Sequence, residues 1–257
     1  MSLFDLSGKV AVITGSSRGI GRAIAEELAD HGAKVVISSR NQEPCDEVAA
    51  AINEKHGQGT AISVAASISD RKALENLVAR TRTELGPIDI MVCNAASNPH
   101  YGSMDTMTDD KFRKIMDNNV LSNHWLIQLA LPDMRANEGG AIVIVSSIGG
   151  LRGSETIGGY NISKAADFQL VRNYALENGR HNIRVNAIAP GVVKTDFAKA
   201  LWEDKKLHDA TAARTPMKRL GEPRDIAGAA VYLSSEAGAW MTGQMMVVDG
   251  GITIGTV

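Results

Sequence analysis

This chain of 257 residues has no excess of basic residues, no long apolar run and only two cysteines. Lys and Arg number 27 against 29 Asp and Glu, which gives a formal net charge of -2. This balance excludes a chain that coats nucleic acid or an anionic membrane, because both tasks need a basic excess. No apolar run approaches the roughly 18 residues that span a bilayer. Two cysteines, Cys45 and Cys93, are too few for a disulfide framework or a four-ligand zinc site.

The ends of the chain are expected to carry no targeting signal. Asp5 stands where the apolar stretch of a signal peptide would begin, and residues 255–257 form no recognised address tripeptide. With so few cysteines, a cytoplasmic protein with reduced thiols is the expectation. The histidines show no ligand spacing, so no metal site is predicted.

Seven short apolar runs alternate with longer stretches of helical period. The runs span 10–13, 35–37, 61–64, 88–92, 142–145, 183–188 and 245–248. Most show little polar alternation, which is typical of strands buried on both faces. Amphipathic stretches such as 20–31, 70–85 and 164–178 lie between them. This order predicts an α/β fold: a single-domain, Rossmann-type, doubly wound parallel sheet of about seven strands with helices on both faces.

No linker or shift in composition divides the chain, so residues 1–257 are predicted to form one domain. The segment at about 195–218 has a helical composition but lies between a strand and the next core helix. An insertion at the carboxyl end of a strand is well placed to act as a lid over a substrate. Its apolar residues Phe197, Leu201 and Trp202 are candidates for the wall of a substrate pocket.

A glycine-rich turn follows the first run and precedes the first helix. Gly15, Gly19 and Gly21 would let the backbone turn sharply and approach a pyrophosphate, and the helix would point its free N–H groups at that anion. The spacing G-x-x-x-G-x-G differs from the more widespread G-x-G-x-x-G. Its position after the first strand predicts dinucleotide binding.

The residues after the second strand indicate which dinucleotide binds. NAD enzymes usually place an acid there to bind the ribose hydroxyls, but this chain has Ser38, Ser39 and Arg40. Arg40, and Arg18 in the glycine turn, could clamp a 2′-phosphate. NADP(H) is therefore predicted in preference to NAD(H), which remains the alternative.

Tyr160 and Lys164 lie four residues apart, so on a helix both side chains leave one face. Ser146 and Ser147 follow the fifth strand, and only one of two adjacent serines on an extended strand can face a site. Upstream, Asn118 and Asn119 form a similar pair of candidates, and the residues alone do not choose within either pair.

The sequence resembles the short-chain dehydrogenase/reductase family over nearly its whole length. The matching segments lie in family order, and they are Gly15 to Gly21, Asn94-Ala95-Ala96, Asn119, Ser147, Tyr160 with Lys164, Pro190-Gly191 with Thr195, and Asp249-Gly250-Gly251. The family's spacing selects Ser147 over Ser146 and Asn119 over Asn118. The resemblance implies a single dinucleotide-binding oxidoreductase domain.

The resemblance also implies a catalytic role for each of four residues. Tyr160 would protonate a carbonyl oxygen, Ser147 would orient that oxygen, and Asn119 would hold a water that leads from Lys164 to solvent. A free tyrosine has a pKa of about 10, which is high for proton exchange near neutrality. An ammonium about 4 Å away, at an effective dielectric near 20, favours the phenolate by about 4 kcal/mol, or roughly 3 pKa units.

The implied cofactor shell is larger than the glycine turn. It comprises Gly15, Ser17, Arg18, Gly19, Ile20, Gly21, Ser39, Arg40, Ser67, Ile68, Asn94, Ala95, Tyr160, Lys164, Pro190, Gly191, Val193 and Thr195. Within it, Asn94 is expected to brace the strand ends rather than to take part in chemistry. The chain departs from the family pattern at Ala96, where glycine is usual, and at Ser67, where an aspartate often contacts adenine.

The predicted function is hydride transfer between NADP(H) and a ketone or aldehyde and its alcohol, with resemblance to the NADP-dependent carbonyl reductases. The alternatives are an NAD-linked alcohol or sugar dehydrogenase and a catalytically silent NADP-binding module. Enoyl reductases of the family usually space tyrosine and lysine further apart than Tyr160 and Lys164. The last strand commonly packs across a two-fold axis in this family, so a homotetramer or homodimer is expected. Neither nucleic acid nor a membrane is expected as a partner.

Overall fold

The computed structural model describes residues 2–255, apart from the side chains at 200 and 201. Its centre is one parallel sheet of seven strands in the order β3-β2-β1-β4-β5-β6-β7. The strands are β1 (Val10–Thr14), β2 (Lys34–Ser38), β3 (Ala61–Ser63), β4 (Ile90–Cys93), β5 (Gly140–Val145), β6 (Ile183–Pro190) and β7 (Met245–Val248). The predicted doubly wound sheet is confirmed, and each strand lies within about two residues of its apolar run.

Residues 2–255 contain nine α-helices. They are α1 (Gly19–Asp30), α2 (Gln42–His56), α3 (Arg71–Glu84), α4 (Asp109–Met116), α5 (Ser122–Ala136), α6 (Gly158–Asn178), α7 (Lys199–Trp202), α8 (Lys205–Arg214) and α9 (Pro223–Ser234). None of the described helices is long and apolar enough to cross a membrane.

Local chemistry sets several helix boundaries. The Asp70 carboxylate accepts hydrogen bonds from the backbone N–H groups of Lys72 and Ala73, so α3 starts where the acidic signal predicts. Pro223 opens α9 behind a capping box that Glu222 and Asp225 form. In contrast, α6 begins at Gly158, ahead of the amphipathic stretch that starts at residue 164. The sequence pattern does not show this earlier start, because Gly158 and Gly159 are poor helix formers.

Two apolar cores lie on opposite faces of the sheet. Along β1, Ala11 and Ile13 point into the core under α1 and α9, while Val12 points into the core under α3, α5 and α6. The fully buried strands account for the continuous apolar runs in the sequence. The strand order reverses between β1 and β4, and doubly wound folds bind ligands in the crevice at that switch point.

The segment between β6 and α9 has the helical content that its composition predicts. A 3-10 turn (Asp196–Ala198) leads into α7 and α8. The Trp202 indole N–H donates to the Thr195 carbonyl at 2.8 Å, so α7 is tied back to the start of its own segment. The predicted role of the Leu201 side chain lies outside the described residues.

Candidate active site

The turn between β1 and α1 has the backbone that its glycines predict. Gly15 (φ 66°) and Gly19 (φ 57°) occupy the left-handed region, which favours glycine. A Cβ on Gly21 would meet the Gly15 carbonyl oxygen and would come within 2.5 Å of Asn94 Nδ2. Arg18 is the N-cap of α1 and makes no side-chain cap. The first N–H groups of α1 therefore keep their capacity for an anion, and the turn fits a dinucleotide pyrophosphate.

Asn94 braces this turn from β4, as expected. Its Nδ2 donates to the carbonyls of Thr14 at 2.9 Å and Gly15 at 3.1 Å. In return, the Thr14 hydroxyl oxygen accepts from the N–H groups of Asn94 and Ala95. These four bonds join the carboxyl ends of β1 and β4 at the switch point.

Ser39 and Arg40, predicted to meet the adenosine ribose, lie just past the end of β2. Ser39 is half-buried, and its hydroxyl contacts the Asn41 carbonyl and the Cys45 thiol. Arg40 is exposed. The other predicted clamp, Arg18, forms a 2.9 Å ion pair with Asp196 at the start of the 195–218 segment.

Three further residues of the predicted cofactor shell, Ser67, Gly191 and Thr195, border the same edge of the sheet. Ser67 follows β3, where its hydroxyl bonds the hydroxyl of Ser69 at 2.8 Å. Beyond β6, the Gly191 N–H donates to the Val248 carbonyl at 3.0 Å. Further on, the Thr195 methyl carbon lies 3.2 Å from where a Cβ on Gly19 would stand, so the segment after β6 touches the glycine turn.

The remaining predicted shell residues are Ser17, Ile20 and Ala95 around the glycine turn, Ile68 after β3, and Pro190 and Val193 at the end of β6. Ser17 and Ile20 are half-buried, whereas Val193 is buried and bridges to Gly221.

The predicted catalytic tyrosine and lysine are neighbours on α6. Lys164 Nζ lies 5.6 Å from the centre of the Tyr160 ring. Phe197, from the 195–218 segment, packs on the same ring with centres 5.7 Å apart. The tyrosine is thus placed between the lysine and the candidate lid.

The two serines after β5 diverge, as their extended backbone predicts. Ser146 is buried, and its hydroxyl donates to the Lys164 carbonyl at 2.9 Å. Ser147 is half-buried and accepts from the Gly149 N–H at 2.9 Å. Since Ser146 is committed to the backbone of α6, Ser147 is the serine whose hydroxyl proton stays available.

Asn119 is fully buried in a π-helical stretch (Asp117–Leu121) between α4 and α5. Its amide donates to the Ser97 carbonyl and to the Ser163 hydroxyl, both at 3.0 Å, and its oxygen accepts from the Ser97 N–H. Wide helical turns of this kind often occur at functional sites. Asn118 instead bonds the Ser97 hydroxyl at 2.9 Å.

Sequence reasoning missed Asp167. Lys164 Nζ donates to Asp167 Oδ2 at 3.2 Å and to the Val145 carbonyl at 3.1 Å, and both side chains are buried. Burial alone would lower the pKa of Lys164, but the Asp167 carboxylate and Tyr160 raise it above its usual value. The available signal was an acid three residues after the lysine, on the same helical face.

Other singled-out residues have simpler surroundings. His100 is buried and contacts the Ser103 carbonyl within its own loop, whereas Tyr101 is exposed. Cys93 is buried, as predicted for a small apolar side chain, and burial raises the pKa of its thiol. Trp240 is fully exposed, which excludes a core role within one chain.

Comparison with known proteins identifies the family. A family model described as "Enoyl-(Acyl carrier protein) reductase" matches residues 15–253. The chain is 41% identical to dehydrogenase/reductase SDR family member 4 of Oryctolagus cuniculus over 249 residues, which covers 96% of this chain and 94% of the relative. The chain belongs to the short-chain dehydrogenase/reductase family. The human member of the same name is 40% identical, with 96% and 88% covered.

Solved structures of the family superpose closely on this chain. A gluconate 5-dehydrogenase from Burkholderia cenocepacia J2315, in complex with NADP and tartrate, has a TM-score of 0.93 at 30% identity and 98% coverage of both chains. A 7α-hydroxysteroid dehydrogenase in complex with NADH and 7-oxo glycochenodeoxycholic acid has a TM-score of 0.92 at 38% identity, with 96% and 95% covered. The chain is therefore a short-chain oxidoreductase of a fold that binds nicotinamide cofactors, and its neighbours include both cofactor types.

Proposed function

We propose that this protein interconverts a ketone or aldehyde and its alcohol, with NADP(H) as the redox partner, in the manner of the carbonyl reductases. The observation that carries the proposal is that Tyr160 and Lys164 lie close together on α6, beside the turn that begins at Ser147. The glycine turn after β1 supports a dinucleotide at the same edge of the sheet.

In the proposed reaction, the nicotinamide supplies or accepts hydride when it is bound. Tyr160 donates its phenolic proton to the carbonyl oxygen, and the Ser147 hydroxyl donates a hydrogen bond to that oxygen and fixes its direction. The Lys164 ammonium stabilises the phenolate that remains, and it would also hold the ribose hydroxyls. Asn119 would hold a water that links Lys164 to solvent, so that the proton can be replaced.

The preference for NADP(H) is supported by charge. Arg40 is exposed beyond β2 and Arg18 lies in the turn, while Ser38 and Ser39 replace the usual acid. An NAD-linked alcohol or sugar dehydrogenase is the second candidate, because one close structural neighbour is in complex with NADH.

Replacement of the phenol tests the mechanism. Tyr160→Phe should bind NADPH with little loss and should reduce carbonyls at least 100-fold more slowly, since general acid catalysis contributes roughly 10²–10⁴-fold. Tyr174→Phe is the matched control on α6: its hydroxyl bonds His124 Nδ1 at 2.7 Å instead. The assay follows NADPH absorbance with diketones, aromatic ketones and sugars.

Three results separate the proposals. Turnover near normal in Tyr160→Phe would refute the mechanism. NADPH binding without oxidation by any carbonyl would favour the silent NADP-binding module. Reduction of an enoyl thioester alone would favour the chemistry named in the matching family model, against which the spacing of Tyr160 and Lys164 argues.

The assembly and the lid are further parts of the proposal. Trp240 and Leu176 are exposed apolar side chains, which supports burial between subunits of a homotetramer or homodimer; native mass spectrometry gives the number of subunits. The packing of Phe197 on Tyr160 supports a lid at about 195–218. The cytoplasmic location stays a prediction.

A further inference from the structure

We propose that Asp167 is a positioning residue of this active site, whose carboxylate holds the Lys164 ammonium in place and sets the pH at which the Tyr160–Lys164 pair releases its first proton. The inference rests on the proposed function for its activity measurement. A spectroscopic measurement on the protein alone tests it separately.

Asp167 is buried, and each of its carboxylate oxygens accepts a hydrogen bond. The side chain of Asp167 is 0% exposed and that of Lys164 is 2% exposed. Oδ2 accepts from Lys164 Nζ at 3.2 Å, and Oδ1 accepts from Asn123 Nδ2 at 3.0 Å. The ammonium also donates to the Val145 carbonyl at 3.1 Å, which fixes it from β5. A buried ammonium with these two acceptors is held charged and in one direction.

The contacts of Asp167 extend to a second predicted catalytic residue. Asn123 Nδ2 donates to the Asn119 carbonyl at 2.7 Å as well as to Asp167. One carboxylate therefore reaches Lys164 directly and the backbone of Asn119 through a single amide.

The surroundings contain few other charges. Tyr160 and Asp167 face the lysine from α6, and the Cys93 thiol faces it from β4. Burial raises the pKa of Cys93, so the thiol stays neutral. The neighbours of Asp167 that remain, Asn123 and Ser146, carry no charge. Asp167 is thus the carboxylate that offsets the lysine in this pocket.

The sign of the effect follows from this offset. A negative charge beside the pair retains its protons, so its removal lets the first proton leave at lower pH. Asp167 follows Tyr160 by seven residues on α6, which is about 10 Å along a helix axis. At an effective dielectric near 20, a unit charge at that distance shifts the proton release by about one pH unit.

Two substitutions separate charge from shape. Asp167→Asn keeps the shape and an acceptor for Asn123 but removes the charge, whereas Asp167→Glu keeps the charge in a position with no spare volume. With NADP+ and an alcohol substrate, the rising limb of activity against pH should move about one unit lower in Asp167→Asn. It should stay within about 0.3 unit of the wild type in Asp167→Glu, even if the maximal rate falls. A role in packing alone requires the reverse: an unchanged limb in Asp167→Asn and damage in Asp167→Glu, and that result would overturn the proposal.

The spectroscopic measurement is independent of turnover. Tyrosinate absorbance is titrated in the cofactor-free protein, and the titration of the matching Tyr160→Phe background is subtracted. Removal of the buried charge should shift the onset of tyrosinate absorbance by about one pH unit in Asp167→Asn. Asp167→Ser, which also lacks the charge, replaces Asp167→Asn if the latter folds poorly.

The control is another Asp–basic pair. Asp133 pairs with Arg82 at 2.9 Å between α5 and α3, and Asp133→Asn should change neither pH dependence. An unchanged tyrosinate onset in Asp167→Asn contradicts the proposal whatever the activity. A shifted onset in a protein that reduces no carbonyl leaves the proposal intact and removes the proposed function.

Discussion

The buried ion pair predicts a large and pH-dependent loss of stability when Lys164 is replaced. Lys164→Met keeps the length and the apolar stem of the side chain but leaves Asp167 as an unpaired buried carboxylate. Breaking a buried pair in this way costs about 3–5 kcal/mol of unfolding free energy. In a chain of this size, that loss lowers the Tm by about 10 °C.

The pH dependence of this loss follows from Asp167. Burial raises the pKa of Asp167, and the Lys164 ammonium opposes that rise. Without the ammonium, the folded-state pKa rises well above the unfolded value of about 4. A carboxyl with a raised folded-state pKa binds its proton more tightly in the folded protein, so stability falls as pH rises between the two values. Lys164→Met should therefore lose more stability at pH 8 than at pH 5.

Urea denaturation followed by circular dichroism measures both effects. Lys9→Met is the matched control, because Lys9 pairs with Asp89 at a similar 3.3 Å but is 54% exposed. Because the Lys9 ammonium is in contact with solvent, although Asp89 is only 13% exposed, this pair should contribute about 1 kcal/mol. The double variant Lys164→Met/Asp167→Asn should recover much of the loss, since its buried groups carry no charge. A loss for Lys164→Met no larger than for Lys9→Met, or one equal at both pH values, would refute the reasoning.

Two further predictions concern the expected cofactor site, and a glycine substitution in α9 is the control for the second. Arg40→Asp should weaken NADPH roughly 10–100-fold, from the loss of charge-assisted bonds, and NADH far less; fluorescence titration with equal effects on both would contradict the 2′-phosphate clamp. Gly21→Ala should lose about 1–3 kcal/mol of stability and most cofactor affinity, because its Cβ would meet the Gly15 carbonyl. Gly228→Ala in α9, with nothing within 4 Å of its Cβ, should gain about 0.5–1 kcal/mol in the same denaturation assay.

The sequence predicts the sheet well because its signals are local. The apolar runs mark all seven strands, and the Asp70 cap marks the start of α3. The start of α6 is harder to predict, because Gly158 and Gly159 are poor helix formers that tertiary packing holds in a helix. There the neighbouring side chains of Met104 and Met107 occupy the space that a Cβ would need.

Long-range pairing explains the parts of the site that the sequence does not predict. Acids three residues from a lysine are common on exposed helical faces, so Asp167 carries no mark of burial until α6 packs on the sheet. Arg18 and Asp196 are 178 residues apart, and no local sequence pattern predicts their contact. The predicted roles of Tyr160, Ser147 and Asn119 remain for the experiments above.

The position of β1 in the sheet has a consequence for how the protein is made. β1 pairs with β2 and with β4, so Ala11 finds its partner Ile90 only after a long stretch of chain has been synthesised. Contacts of such wide sequence separation slow folding, because the intervening loop must close first. A nascent chain that ends before β4 leaves one edge of β1 unpaired. Such an edge can pair with strands of other chains, so the growing chain is prone to aggregation until β4 has been made.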